Sequence, residues 1–157
     1  MKKSNKPRAE DRDRPSLALS TTMMLIAAGR LAQRRFEAKL ADRKLTLRHI
    51  GALAHLAHSP DLSYSDLARR ARITPQSMHA TIGQLAELGA VTIEAKGRAS
   101  YPRLTARGRE LLAFAADAAA ACDDAFDIDD DVDRGLRVGL ETLVRQGLFP
   151  DTLPNSL

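Results

Sequence analysis

A mainly α-helical fold carrying one small β-hairpin follows from three observations on this 157-residue chain. Apolar residues recur at helical spacing through most of its length. Aromatic residues make up only 4% and there is no Trp, so the core is built from Leu, Ala, Ile and Met, which suits packed helices. One stretch, from Val91 to Leu104, alternates apolar and polar residues around a Lys96-Gly97-Arg98 turn, as a hairpin does.

The elements follow in order. Residues 1–14 hold almost no apolar side chains and read as a disordered basic tail; residues 15–157 read as one domain. From about Ser16 to Ala41, Leu17, Met24, Leu31 and Ala38 recur at sevens, and Leu19, Met23 and Ile26 add a second apolar stripe. An arc that wide needs more than one neighbour, so part of it is a surface for a partner. Thr46 caps a helix from Leu47 to about Ala57 that buries Leu47, Ile50, Leu53, Ala54 and Ala57. Ser59-Pro60-Asp61 breaks it. Ser63, with Asp66 three residues on, opens the next helix as a variant capping box, whose buried side is Leu67, Ala68 and Ala71.

Thr74-Pro75 starts a further helix: the hydroxyl caps orphan N–H groups, and Pro at the first position needs no donor there. Met78, Ile82, Leu85 and Leu88 form its buried stripe, and Gly89 is its left-handed stop. In the hairpin, Val91, Ile93 and Ala95 alternate with Thr92 and Glu94, and Ser100 to Leu104 returns. Pro102 confines that strand to an edge or bulge. Thr105 restarts helix, and Leu111, Leu112, Phe114, Ala115, Ala118, Ala119 and Cys122 give a long Ala-rich helix to about Phe126. After the acidic run Asp127 to Asp133 comes a last helix with Leu136, Leu140, Leu143 and Val144 on its apolar face. Gly147 stops it, and Pro150 and Pro154 keep the tail irregular.

Charge is strongly uneven. Residues 1–48 carry 13 Lys+Arg and 5 Asp+Glu (+8), residues 49–110 carry 8 and 5 (+3), and residues 111–157 carry 3 and 10 (−7). A basic front and an acidic rear present one side to a polyanion. No apolar run approaches the roughly 20 residues of a membrane span, no signal peptide is evident, and the single cysteine cannot form an internal disulfide, so the expected compartment is the cytoplasm.

Enzymatic signatures are missing: there is no Gly-rich phosphate loop, no G-x-S-x-G elbow and no Cys/His or Ser/His/Asp set at a recognisable spacing. No cofactor is expected. His55 and His58, three apart on one helix, lack the further ligands of a metal site. Cys122 precedes Asp123 and Asp124, whose charge disfavours a thiolate, and reads as a packing residue.

Leu45-Thr46, Leu67-Ala68-Arg69-Arg70, Thr74-Pro75-Gln76-Ser77, Leu85 with Leu88-Gly89, and Leu104-Thr105 with Gly108-Arg109 stand in an order and spacing that resemble the MarR family of bacterial winged-helix transcription regulators. The resemblance covers about residues 45–112. It implies a winged helix-turn-helix at about 45–104, flanked by dimerisation helices at about 15–44 and 105–148, in an obligate homodimer that binds double-stranded DNA as a repressor. It also implies a small, often aromatic or phenolic, effector between the dimerisation helices and the DNA-binding lobe, in a cleft that Met23, Met24, Phe36, Leu47 and His49 would line. The chain departs from the family pattern in its short hairpin, which lacks the acidic-x-Arg signature, and in Ala80 and Gln84, where basic residues are common.

In that frame the base-edge candidates are Pro75, Gln76, Ser77, His79, Ala80 and Gln84. Gln pairs bidentately with adenine, and Pro75 and Ala80 offer only apolar contact. Candidates for phosphate or minor-groove contact are Ser63, Arg69, Arg70, Arg72, Thr74, Lys96, Arg98 and Arg103, with Arg98 suited to a narrow A·T-rich minor groove. The sparsely basic helix and short wing leave a second reading open, a winged helix that has become a protein-interaction module.

Overall fold

The computed structural model describes residues 16–17, 20–96 and 99–145. The basic tail at 1–14, the hairpin turn at Gly97-Arg98, Gly147 and the two C-terminal prolines lie outside them. The elements are α1 (Thr21–Ala41), α2 (Leu47–His58), α3 (Tyr64–Arg70), α4 (Pro75–Glu87), β1 (Val91–Lys96), β2 (Ala99–Leu104), α5 (Ala106–Asp124) and α6 (Asp130–Leu143). The mainly α fold with one antiparallel hairpin is the class the sequence predicts. No helix among the described residues is long and apolar enough to cross a membrane.

The chain divides into two units, residues 1–35 and 36–157. In the first, α1 begins at Thr21 rather than near Ser16. The reason is local: the Ser20 hydroxyl accepts the Met23 N–H at 3.3 Å, which makes Ser20 the cap. Met23, Met24, Leu25, Ile26 and Leu31 are all exposed there.

In the second unit the core gathers Leu40, Leu45, Leu53, Leu56, Leu67, Met78, Ile82, Leu85, Val91 and Leu111. Helix α2 is its centre and packs against α3, α4, α5 and β2. The buried face of α2 differs from the expected one. His49, Ala52, Leu53 and Leu56 are buried, Leu47 and Ile50 are half-buried, and Ala54 and Ala57 are exposed. Its apolar residues cover a wide arc, with Arg48, Gly51, His55 and His58 on the remaining side, so periodicity alone does not centre the buried face. The larger leucines win because each removes more apolar area from water than an alanine.

Strands β1 and β2 pair with Val91 opposite Leu104 and Ile93 opposite Pro102. A two-stranded sheet has only edge strands, which accommodates Pro102. β2 starts one residue earlier than expected and α5 ends at Asp124, two residues sooner. Asp127 follows with a φ of 49°. Along α5, Gly108, Leu111, Ala115, Ala118 and Cys122 are buried. On α6, Leu136, Leu140 and Leu143 are exposed.

Candidate nucleic-acid interface

Helices α3 and α4 form a helix-turn-helix whose ends are set by side chains. The Ser63 hydroxyl accepts the Asp66 N–H at 3.2 Å and donates to the Asp66 carboxylate at 2.7 Å. That hydroxyl bond holds the Asp66 carboxyl below the usual carboxylate range. Helix α3 ends in a Schellman turn, with Ile73 N–H donating to Ala68 C=O at 3.1 Å and Arg72 N–H to Arg69 C=O at 3.2 Å. The left-handed position of that turn belongs to Arg72, with φ 52°, where glycine is the usual choice. Thr74 caps α4 by accepting the Ser77 N–H at 3.1 Å. Gly89, with φ 69°, closes it through Ala90 N–H donating to Leu85 C=O at 2.8 Å.

Recognition-type helix α4 buries Met78, Thr81, Ile82 and Leu85. Pro75, Gln76, His79, Ala80 and Gln84 are exposed and Ser77 is half-buried, so the base-edge candidates do share the outward side. Several are engaged within the chain. The Ser77 hydroxyl accepts from Thr74 Oγ1 at 2.9 Å. The His79 ring stacks on Tyr64 of α3, with centroids 4.3 Å apart and planes at 15°. Gln84 Oε1 lies 2.8 Å from His49 Nε2 of α2.

The basic candidates divide in the same way. Arg69 pairs with Asp66 on its own helix, and Arg70 donates to Ser59 Oγ at 3.0 Å. Arg72 is exposed and has no ion-pair partner among the described residues. Arg103 is the most committed. It donates to Asp61 at 2.6 Å, to Glu94 at 2.9 Å and to the Pro60 carbonyl at 2.5 Å. Both carboxylates raise its pKa further. It works as a strut from β2 to the α2–α3 loop. Lys96 ends β1, and Arg98 lies outside the described residues.

Of the effector candidates, Met23 and Met24 belong to the first unit. Phe36 and Leu47 pack on the core of the second. His49 is 5% exposed and completes the capping box of α2: Thr46 N–H donates to its Nδ1 at 3.2 Å, while Thr46 Oγ1 accepts the His49 N–H at 3.3 Å. Among the described residues no group of three or more His, Cys, Asp or Glu is placed to hold a metal.

His55 titrates under a different control. Burial, with the charges of Arg70 and His58 behind it, lowers its pKa below the ordinary 6.5. The unfolded chain therefore binds the proton first as pH falls through 6.5, and stability drops until the folded-state ring titrates too. Urea midpoints taken from about pH 7.5 to about pH 5 are expected to fall with acid, and to fall less for His55→Gln. Equal slopes in the two proteins would assign the acid sensitivity to other groups.

Comparison with known proteins decides the family. The family model described as MarR family matches residues 44–99. An HTH-type transcriptional repressor, Rv2887 of Mycobacterium tuberculosis, is 38% identical over 91 residues, 56% of this chain and 66% of the repressor. The match thus spans just under two thirds of that relative's length. The crystal structure of Mycobacterium tuberculosis MarR family protein Rv2887 in complex with DNA superposes with a TM-score of 0.69 at 31% identity, covering 79% of this chain and 97% of that one. The chain belongs to the MarR family. The structure of the same Mycobacterium tuberculosis protein in complex with salicylic acid gives a TM-score of 0.64 at 32% identity, covering 83% of this chain and 98% of that one.

Within this MarR-family chain, four residues hold the candidates in ways the sequence does not signal. Tyr64 stacks on His79, Asp61 and Glu94 hold Arg103, and His49, an effector-cleft candidate by resemblance, instead contacts Gln84. No local pattern marks Tyr64, Asp61 or Glu94; for His49 the one local hint is its place at the third position of a Thr-capped helix, where a capping box sets its acceptor.

Proposed function

We propose that this chain is a homodimeric transcriptional regulator, a repressor rather than an enzyme, that binds a pseudo-palindromic operator in double-stranded DNA from the cytoplasm. Half-site centres stand about one helical turn apart. The unit that binds is the winged helix-turn-helix at about residues 45–104, held by dimerisation helices at about 15–44 and 105–148. The observation that carries this reading is α4 itself: a capped helix of 13 residues with one buried stripe, exposing Gln76, Ala80 and Gln84 next to the exposed Arg72. The relative bound to DNA supports it. The relative bound to salicylic acid supports release by a small aromatic or phenolic acid, which acts only by favouring a half-site separation that no longer fits the groove.

The test is binding to the chain's own upstream intergenic DNA against random duplex, across a salt series. Preference for the upstream duplex, with affinity falling steeply in salt, is the expected result. Undetectable binding at low salt would favour a protein-interaction module. Two substitutions then separate the arginines. Arg72→Met should flatten the log–log salt slope by about 0.9, the share of one neutralised phosphate. Arg103→Met should weaken binding with the slope unchanged, because Asp61 and Glu94 already neutralise that guanidinium. A slope lowered by Arg103→Met would make Arg103 a phosphate ligand after all.

A further inference from the structure

The contact between α2 and α4 carries information about which base is read, on the reading that α4 enters the major groove. It starts from a backbone amide. The N–H of Thr46 donates to His49 Nδ1 at 3.2 Å, and a backbone N–H is only ever a donor. Nδ1 must therefore present its lone pair. In the neutral imidazole the proton then sits on Nε2, and the atom 2.8 Å from Nε2 on Gln84 must be an acceptor. The carboxamide of Gln84 accordingly sets its oxygen against α2, and its two N–H donors are the end left for an outside partner. The ring that fixes this is 5% exposed, so solvent does not readily compete for the bond, whereas Gln84 is exposed. Helical spacing puts Gln84 on the same flank as Ala80 and Ser77, one and two turns earlier.

A free glutamine reads adenine because it offers an acceptor to N6 and a donor to N7 side by side. With its oxygen held by a buried ring, the amide presents donors instead. We propose that His49 is a positioning residue for base specificity: by holding Gln84 Oε1, it makes this position of the recognition helix select a base that shows acceptors in the major groove. Those bases are guanine, through N7 and O6, or thymine, through O4.

The experiment is selection from a randomised duplex pool by the full-length protein, with the wild type, Gln84→Met and His49→Phe run side by side. Wild type should enrich guanine or thymine at one symmetry-related pair of positions, and Gln84→Met should lose that preference and keep the others. His49→Phe should move the same pair toward adenine by about tenfold in the ratio of bases, the scale of one good base contact, with affinity for random duplex unchanged. Adenine enriched at that pair by the wild type, or no change of preference in His49→Phe, overturns the inference while leaving DNA binding intact. Loss of affinity for every duplex, with no change of preference, makes His49 a support of the fold only. Failure of the wild type to bind any duplex overturns the DNA reading, and this inference with it. Should His49→Phe fail to fold, the ring nitrogens of wild-type His49 decide by NMR. Protonated Nε2 with bare Nδ1 is expected, and the opposite tautomer overturns the proposal.

Discussion

Gly108→Ala is expected to destabilise the chain by about 3 kcal/mol, the upper range for forcing a group into a filled site, read from urea unfolding. A Cβ at this position would stand 2.3 Å from the Ala90 carbonyl oxygen and 2.5 Å from Leu104 Cδ1. The leucine tip can rotate away, but the carbonyl has no room to move. It accepts the Thr105 N–H at 3.1 Å, and the Ala90 N–H is itself tied to Leu85 at 2.8 Å. Thr105 adds a bond from its hydroxyl to the Gly89 carbonyl at 2.7 Å and caps α5 through the Gly108 N–H at 3.0 Å. The end of α4, the start of β1 and the start of α5 are thus joined at one point that only glycine fits. Gly51→Ala is the control. Nothing lies within 4 Å of its would-be Cβ, so the better helix former should raise stability by about 1 kcal/mol. An unchanged midpoint for Gly108→Ala would show that α5 shifts freely against β1.

The double substitution Leu136→Asp with Leu140→Asp is expected to leave the chain folded but monomeric, and at least about 100-fold weaker on a duplex with two half-sites, as loss of bivalence implies. Leu136 is 49% exposed and Leu140 40% exposed, so neither supports the fold of the single chain. Together with Val132 and Leu143 they make a stripe along α6 at spacings of four, four and three, which the described residues leave uncovered. The N-terminal unit likewise exposes Met24 and Leu31, two turns apart on one face of α1. Faces of this kind in a soluble chain mark association surfaces. Sedimentation, circular dichroism and duplex binding on one preparation check all three parts of the expectation. A dimer that survives both aspartates would place the interface elsewhere.

How much of this was legible beforehand depends on how far apart the partners lie in sequence. Thr46, Ser63, Thr74 and Thr105 stand out in the sequence as helix starts, and each hydroxyl accepts an N–H three residues ahead. Gly89 is the left-handed stop its position predicts and has the φ of one. Of the stripe Met78, Ile82, Leu85 and Leu88, the first three are buried as their spacing requires, while Leu88, the C-cap of α4, is only half-buried. Position Arg72 shows where such reading fails: a left-handed turn occupied by arginine carries no glycine to announce it.

The sequence by itself determined the order of the elements, the capped starts of α2, α3, α4 and α5, and the family, because caps, stops and helical stripes are interactions within about four residues and are written in consecutive letters. Only the tertiary structure decided which part of the wide apolar arc of α2 is buried, since such a helix is oriented by its neighbours. It alone showed that Arg103 is a strut anchored on Asp61, 42 residues away, and that His49 Nε2 meets the amide oxygen of Gln84, 35 residues away. Such pairings have no period and no motif. They exist because packing α2 beside α4 and β2 brings a buried donor within reach of an acceptor, and a polar group in that setting keeps the partner it finds.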